Sequence, residues 1–251
     1  MDDPRLMPFL EHVEVLRRLD RGRDVFGAKR HHWQVQPPLG EEPVATLEQD
    51  LGYALPAGYR TYLTAYGNGG AGPLFGIRTF PAHLSATERA SLRRPFPGMA
   101  AVHRQVAAGG VDVDADGYFE VDDDALLERL LNGTWRIADD GCGHHARIVL
   151  HGAEPGTILT VALEGGIRDT GQDFLDWSLS WVARHRECYE AVWERMLRAE
   201  PPDDLVTVNN AALVAALCGT SLGLNGSGNG RRDTARELYR RFLAERGQDP
   251  C

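Results

Sequence analysis

A chain of 251 residues with 43% apolar and 25% charged side chains has the size and composition of one large globular domain, or of a domain with an extension. Its formal net charge of -9 is the wrong sign for a general nucleic-acid binder, which gains affinity by neutralising phosphates with Lys and Arg; it suits a basic protein partner, or simply keeps the protein in solution. No run of the roughly 18 apolar residues that a membrane span needs is present, and Met1-Asp2-Asp3-Pro4 does not open a secretory signal.

In chain order, Leu6, Phe9, Leu10, Val13, Leu16 and Leu19 recur at intervals of three and four, which predicts an amphipathic helix over 5–20. A polar loop with Trp33 and Pro37-Pro38 follows. A second helix is expected over about 44–53, burying Leu47 and Leu51, with Thr46 and Gln49 as a capping box. Pro56 opens a third helix, because proline is tolerated in a first turn. That helix presents Tyr59, Tyr62, Leu63 and Tyr66 and stops at Gly67-Asn68-Gly69-Gly70.

Residues 83–108 are helix-prone but interrupted by Pro95 and Pro97. Tyr118-Phe119-Glu120-Val121 alternates like a strand, and 124–131 reads as a short helix carrying Leu126, Leu127, Leu130 and Leu131. Ile137 to Gly143 reads as an acidic turn with two glycines. It leads into an apolar strand over 146–151, which Ala153-Glu154-Pro155-Gly156 connects to a second strand over 157–163. After Thr170, a candidate cap with Asp173, a long helix carries Phe174, Trp177 and Trp181 on one stripe and continues to Pro201-Pro202. Residues 219–230 hold five glycines among Ser and Asn, a linker composition, and 233–246 has the spacing of an amphipathic helix. Cys142, Cys188, Cys218 and Cys251 are widely scattered and read as reduced thiols in the cytoplasm.

Two ordered blocks resemble the SUKH superfamily, which includes fungal cell-wall assembly regulators (SMI/KNR-like) and bacterial toxin-immunity proteins. The first runs from Leu47 to Pro56, through Tyr59-Arg60 and Leu63, to Asn68-Gly69-Gly70. The second is the Ile137–Leu163 segment followed by the Phe174/Trp177/Trp181 helix. The resemblance covers about residues 33–184. It implies an α+β fold with a mixed, mainly antiparallel sheet (118–121, 146–151, 157–163) flanked by helices from 44–66 and 172–198. The expected organisation is a domain over 1–200 and a helical extension over 201–251. The implied function is non-catalytic: a cytoplasmic immunity protein that sequesters a polymorphic toxin domain by stoichiometric occlusion. A scaffold or regulatory adaptor with several weak partners is the other reading. Neither requires a cofactor, nucleic acid or a membrane.

Individual motifs fit a binding role better than chemistry. Asp112, Asp114, Asp116, Glu120 and Asp123, with Gly117, follow EF-hand calcium-loop spacing. Asp123 is too short for the bidentate twelfth ligand, and Gly109-Gly110 breaks the entering helix, so a solvated acidic turn is the simpler account. Eight carboxylates and no basic residue lie between 111 and 128. Such a strip repels itself unless a cationic partner or salt offsets it, which makes Asp112, Asp114, Asp116, Glu120, Asp122, Asp123 and Asp124 the expected docking patch for a basic toxin domain. Trp33 and Asn68, in loops, complete the expected partner-facing set. Tyr66, Phe75 and Trp135 are further aromatics that a partner could reach. Cys142, His144, His145 and His151 are metal-ligand types without a zinc-site spacing. Gly67–Gly72 ends a helix rather than starting one and lacks the features of a phosphate cradle.

Overall fold

The computed structural model describes residues 3–20, 23, 25–81, 83–108, 121, 124–141, 143–162 and 166–198. Among these residues the protein is an α+β fold with eight α-helices and one four-stranded sheet. In chain order the helices are α1 (Leu6–Leu19), α2 (Ala28–His31), α3 (Glu41–Leu51), α4 (Ala57–Thr61, running into a π-helical turn at Tyr62–Tyr66), α5 (Ala86–Leu92), α6 (Met99–Ala108) and α7 (Asp124–Leu130). The strands β1 (Thr134–Gly141), β2 (His144–Val149), β3 (Thr157–Val161) and β4 (Ile167–Asp173) follow, then α8 (Phe174–Arg198).

The sheet is a wholly antiparallel meander, β1-β2-β3-β4. Successive strand residues face opposite ways, so neighbours such as Ile148 and Val149, or Ile158 and Leu159, serve different cores. Ile137, Ala146, Ile148 and Ile158 pack with α1, α3, α4 and α8 in the larger core. Val149, Leu159, Val161 and Ile167 face the other way, onto Phe96, Met99 and Val102 of the α6 region and onto Leu130 and Leu131 at the end of α7. Helices therefore cover both faces, and each fully buried Ile, Leu or Val stabilises the fold by roughly 1.5–3 kcal/mol.

The apolar stripe of α1 buries Leu6, Phe9, Val13 and Leu16 as its spacing predicts. α1 lies along α8 in the same direction: Arg5 binds Asp173 (2.8 Å) and Asp176 (2.7 Å) at one end, and Asp20 meets Tyr189 at the other. The contact of α4 and its π-helical turn with the start of α8 is aromatic, with the Tyr59 ring 4.9 Å from Phe174 and the Tyr62 ring 5.1 Å from it.

Four local expectations change. α3 begins at Glu41, so Thr46 lies inside the helix, where its hydroxyl donates to the Glu42 carbonyl (2.9 Å) and cannot cap. The cap of α8 is Asp173, whose Oδ1 accepts from the Asp176 amide (2.8 Å), while the Thr170 hydroxyl instead donates to Ile158 O (2.8 Å). The supposed turn at Ile137–Gly141 is the end of β1, with Ala138 opposite Ala146 and Asp139 opposite His145. Cys188 is disulfide-bonded, which corrects the expectation of four reduced thiols; its partner cysteine lies outside the described residues. Pairing depends on how close the fold brings two Cα atoms, a quantity that spacing in sequence does not carry. The strand expected at 118–121 (apart from Val121), the linker at 219–230 and the helix at 233–246 also lie outside the described residues.

Candidate partner-binding surface

Trp33 and Asn68, expected to face a partner, are instead structural. Trp33 is 3% exposed. Its indole Nε1 donates to Asp20 Oδ2 (2.9 Å), and its ring lies 5.8 Å from Trp181 and 5.0 Å from His31. Asp20, itself 2% exposed, also accepts from the Tyr189 hydroxyl (2.7 Å) and from the Val25 amide (3.3 Å). A charge so far from solvent is tolerable only because these donors replace water. The loop bearing Trp33 is thus locked to α1 and α8.

Asn68 makes a two-way bridge to one backbone residue. Its Nδ2 donates to Phe80 O (3.0 Å), and its Oδ1 accepts from Phe80 N (2.7 Å). The surrounding glycines serve close chain packing. Gly70 adopts φ +101°, and a Cβ there would lie 2.1 Å from Gln34 O. The amides of Gly67, Asn68, Gly69, Gly70 and Ala71 already donate to Tyr62 O, Gln36 O, the Tyr62 hydroxyl, Ile77 O and Gln34 O. A phosphate would find those five donors occupied.

Of the acidic strip, Asp112, Asp114, Asp116, Glu120, Asp122 and Asp123 lie outside the described residues; Asp124 is the first residue of α7. Val121 is buried in the smaller core with Leu159, Val161 and Ile167.

The histidines near β2 have separate surroundings. His144 and His145 are consecutive in the strand and point to opposite faces. His145 Nδ1 donates to Gly143 O (3.1 Å), and burial pushes its pKa down to about 4. His151 stacks on Tyr53 at 4.4 Å. Among the described residues no group of three or more His, Cys, Asp or Glu side chains is placed to hold a metal ion. Asp140 carries a buried Oδ1 without a hydrogen-bond partner, and burial raises its pKa.

The described surface does contain a cleft of about 540 Å³ between α1 and the segment after Trp33. Its lining is mixed: Leu10, Val13, Val35, Pro37 and the edge of the buried Trp33 are apolar, Gln34 and Gln36 are polar, and Glu14 and Arg17 pair at 2.8 Å. Sequence reasoning missed this cleft because its walls come from two segments whose relative placement depends on the buried Trp33–Asp20 contact.

Neither protein-family models nor curated proteins give a match to this chain. Among the described residues, no helix is long and apolar enough to cross a membrane.

Proposed function

We propose that this protein is an immunity-type binding protein, which sequesters a cognate toxin domain by covering it in a one-to-one complex. The reading follows from the resemblance to the SUKH superfamily. One observation supports it above the rest: the two resembling blocks, about 80 residues apart in sequence, pack into a single core. Tyr59 and Tyr62 of the first block meet Phe174 of the second at 4.9 and 5.1 Å. A Cβ on Gly58 would lie 3.0 Å from Leu175 Cδ1, so the helix pair is in close contact there.

The partner that fits the acidic strip is a basic toxin domain: charge complementarity speeds association, so salt slows the encounter without dissociating the tight complex. Function is then occupancy of a site on the partner rather than turnover.

The test is affinity capture of the tagged full chain from its native cells, followed by reconstitution with the captured protein. The expected result is one partner retained at high salt, whose toxic activity falls linearly to zero at a 1:1 molar ratio. Several sub-stoichiometric partners that salt removes, none of them inhibited, would replace this reading with a regulatory adaptor.

A further inference from the structure

The register of β1 and β2 sets Arg136 directly opposite Arg147, a like-charge pair that is unfavourable on a sheet. Arg78 reaches the same place, because its amide donates to Ile137 O (2.6 Å) and so lays the 77–78 segment along β1. Three guanidinium groups thus converge, and Asp139 is the one carboxylate they share among the described residues. Asp139 binds Arg136 closely and binds Arg78 at 3.2 Å. Among the described residues Arg147 reaches only neutral acceptors, with Nε on Thr134 Oγ1 (2.6 Å) and Nη2 on Thr134 O (3.0 Å). Burial and the neighbouring Arg136 and Arg78 push the Arg147 pKa down to about 10. In a chain of net charge -9, this is a local excess of positive charge held by the fold.

An aromatic stack adjoins it. The Phe75 amide donates to Asp139 O (2.8 Å), Phe75 stacks on Phe26 at 4.7 Å, and the Arg30 guanidinium lies 3.8 Å above the Phe75 ring. Arg78 and Arg136 keep 47% and 40% of their side chains exposed.

We propose that this β1–β2 face is a docking surface for a protein partner that presents carboxylates, with Arg78 and Arg136 taking Asp or Glu side chains, the part-buried Arg147 adding positive charge behind them, and Phe75 supplying the apolar anchor. Three guanidinium groups around one carboxylate leave an excess of positive charge, which a partner carboxylate offsets on binding. Arg forks accept carboxylates through two parallel hydrogen bonds, and Arg beside an aromatic ring is the composition of an interface anchor. A polyanion such as nucleic acid fits less well, since the net charge of the chain repels it over its whole length while only three arginines attract it. The inference stands on this geometry and does not depend on the immunity reading.

The test is fluorescence anisotropy of the full chain with three labelled probes: a decapeptide alternating Glu and Tyr, the same peptide with Lys for Glu, and a decathymidylate strand. Binding of the Glu/Tyr peptide alone is expected, weakened about tenfold or more in the Arg78→Ser/Arg136→Ser double variant. Neither side chain is buried, and an unchanged melting temperature confirms that the variant is folded. Absence of peptide binding at millimolar concentration, or equal binding by the folded double variant, overturns the proposal. Tighter binding of decathymidylate than of the peptide also overturns it, in favour of phosphate recognition.

Discussion

Replacing Asp20 with Ala gives the sharpest test of how the fold is held together. The carboxylate receives the Trp33 indole at 2.9 Å, the Tyr189 hydroxyl at 2.7 Å and the Val25 amide at 3.3 Å. Trp33 and Tyr189 are 3% and 5% exposed, so water cannot take over these contacts without opening the structure. An orphaned buried donor costs roughly 1–3 kcal/mol, and the long Val25 contact belongs at the low end. Relief of the buried charge offsets part of the sum, which leaves a loss of about 4 kcal/mol. For a domain of this size each kcal/mol lowers the melting temperature by roughly 2–4 °C, so Asp20→Ala should melt roughly 8–16 °C lower. Tyr189→Phe, which removes a single charge-assisted bond, should cost about 1.5–3 kcal/mol. Urea unfolding followed by tryptophan fluorescence would measure both, and the double variant would complete a cycle. Because the two side chains share one hydrogen bond, the cycle should show a coupling of at least about 1 kcal/mol. A loss under about 1 kcal/mol for Asp20→Ala, or strict additivity, would refute the idea that Asp20 ties α1 to α8.

Two further outcomes are expected. Asn68→Ala strands both polar groups of the Phe80 backbone and should lower stability by about 2–4 kcal/mol in a thermal melt, while Asn68→Asp, which sets a buried carboxylate oxygen against Phe80 O, should lose at least as much. Acid should destabilise the protein through His31, which is 7% exposed, accepts the Trp33 amide on Nδ1 (3.1 Å), and has its pKa pushed by burial from 6.5 down to about 4. The unfolded chain binds this proton between pH 6.5 and 4 and the folded chain does not. Stability is therefore intact above pH 6.5 and falls as the pH drops towards 4, by up to about 3 kcal/mol from this residue. His12, His145 and His185 shift in the same direction. Urea midpoints that stay level between pH 7 and 4 would contradict this.

What the sequence made legible is periodic. The three-and-four spacing of α1 and the Phe174/Trp177/Trp181 stripe of α8 identify helices, and the runs Arg147–Leu150 and Thr157–Leu163 identify the central hairpin. β1 escaped because bulges between Arg136 and Ala138, and between Asp139 and Gly141, break its alternation. Ile137 and Ala138 are buried consecutively, and Asp139-Asp140 then imitates a turn. β4 escaped for a similar reason, since Arg168, Asp169 and Gln172 lie at a sheet edge and leave little apolar pattern. Trp33 was misjudged because no local periodicity surrounds it. His32 and Trp33 both adopt positive φ (53° and 57°), which turns the indole inward to an aspartate thirteen residues away. Long-range polar partners such as Asp20 and Tyr189, 169 residues apart, leave no mark that a single sequence can display.

The parallel pairing of α1 with α8 also sets a timetable for synthesis. The sheet is a meander of neighbouring strands, so its hairpins can close as soon as each pair leaves the ribosome. α1 cannot finish its packing then, because the side chains that complete its seat lie about 170 residues later, at Asp173, Asp176 and Tyr189. At roughly 5–20 residues per second, that is a wait of roughly 10–35 s. Throughout it the stripe of Leu6, Phe9, Val13 and Leu16 is uncovered on the side α8 will take, so among the described helices α1 has the longest wait for its seat and the longest exposure to chaperones.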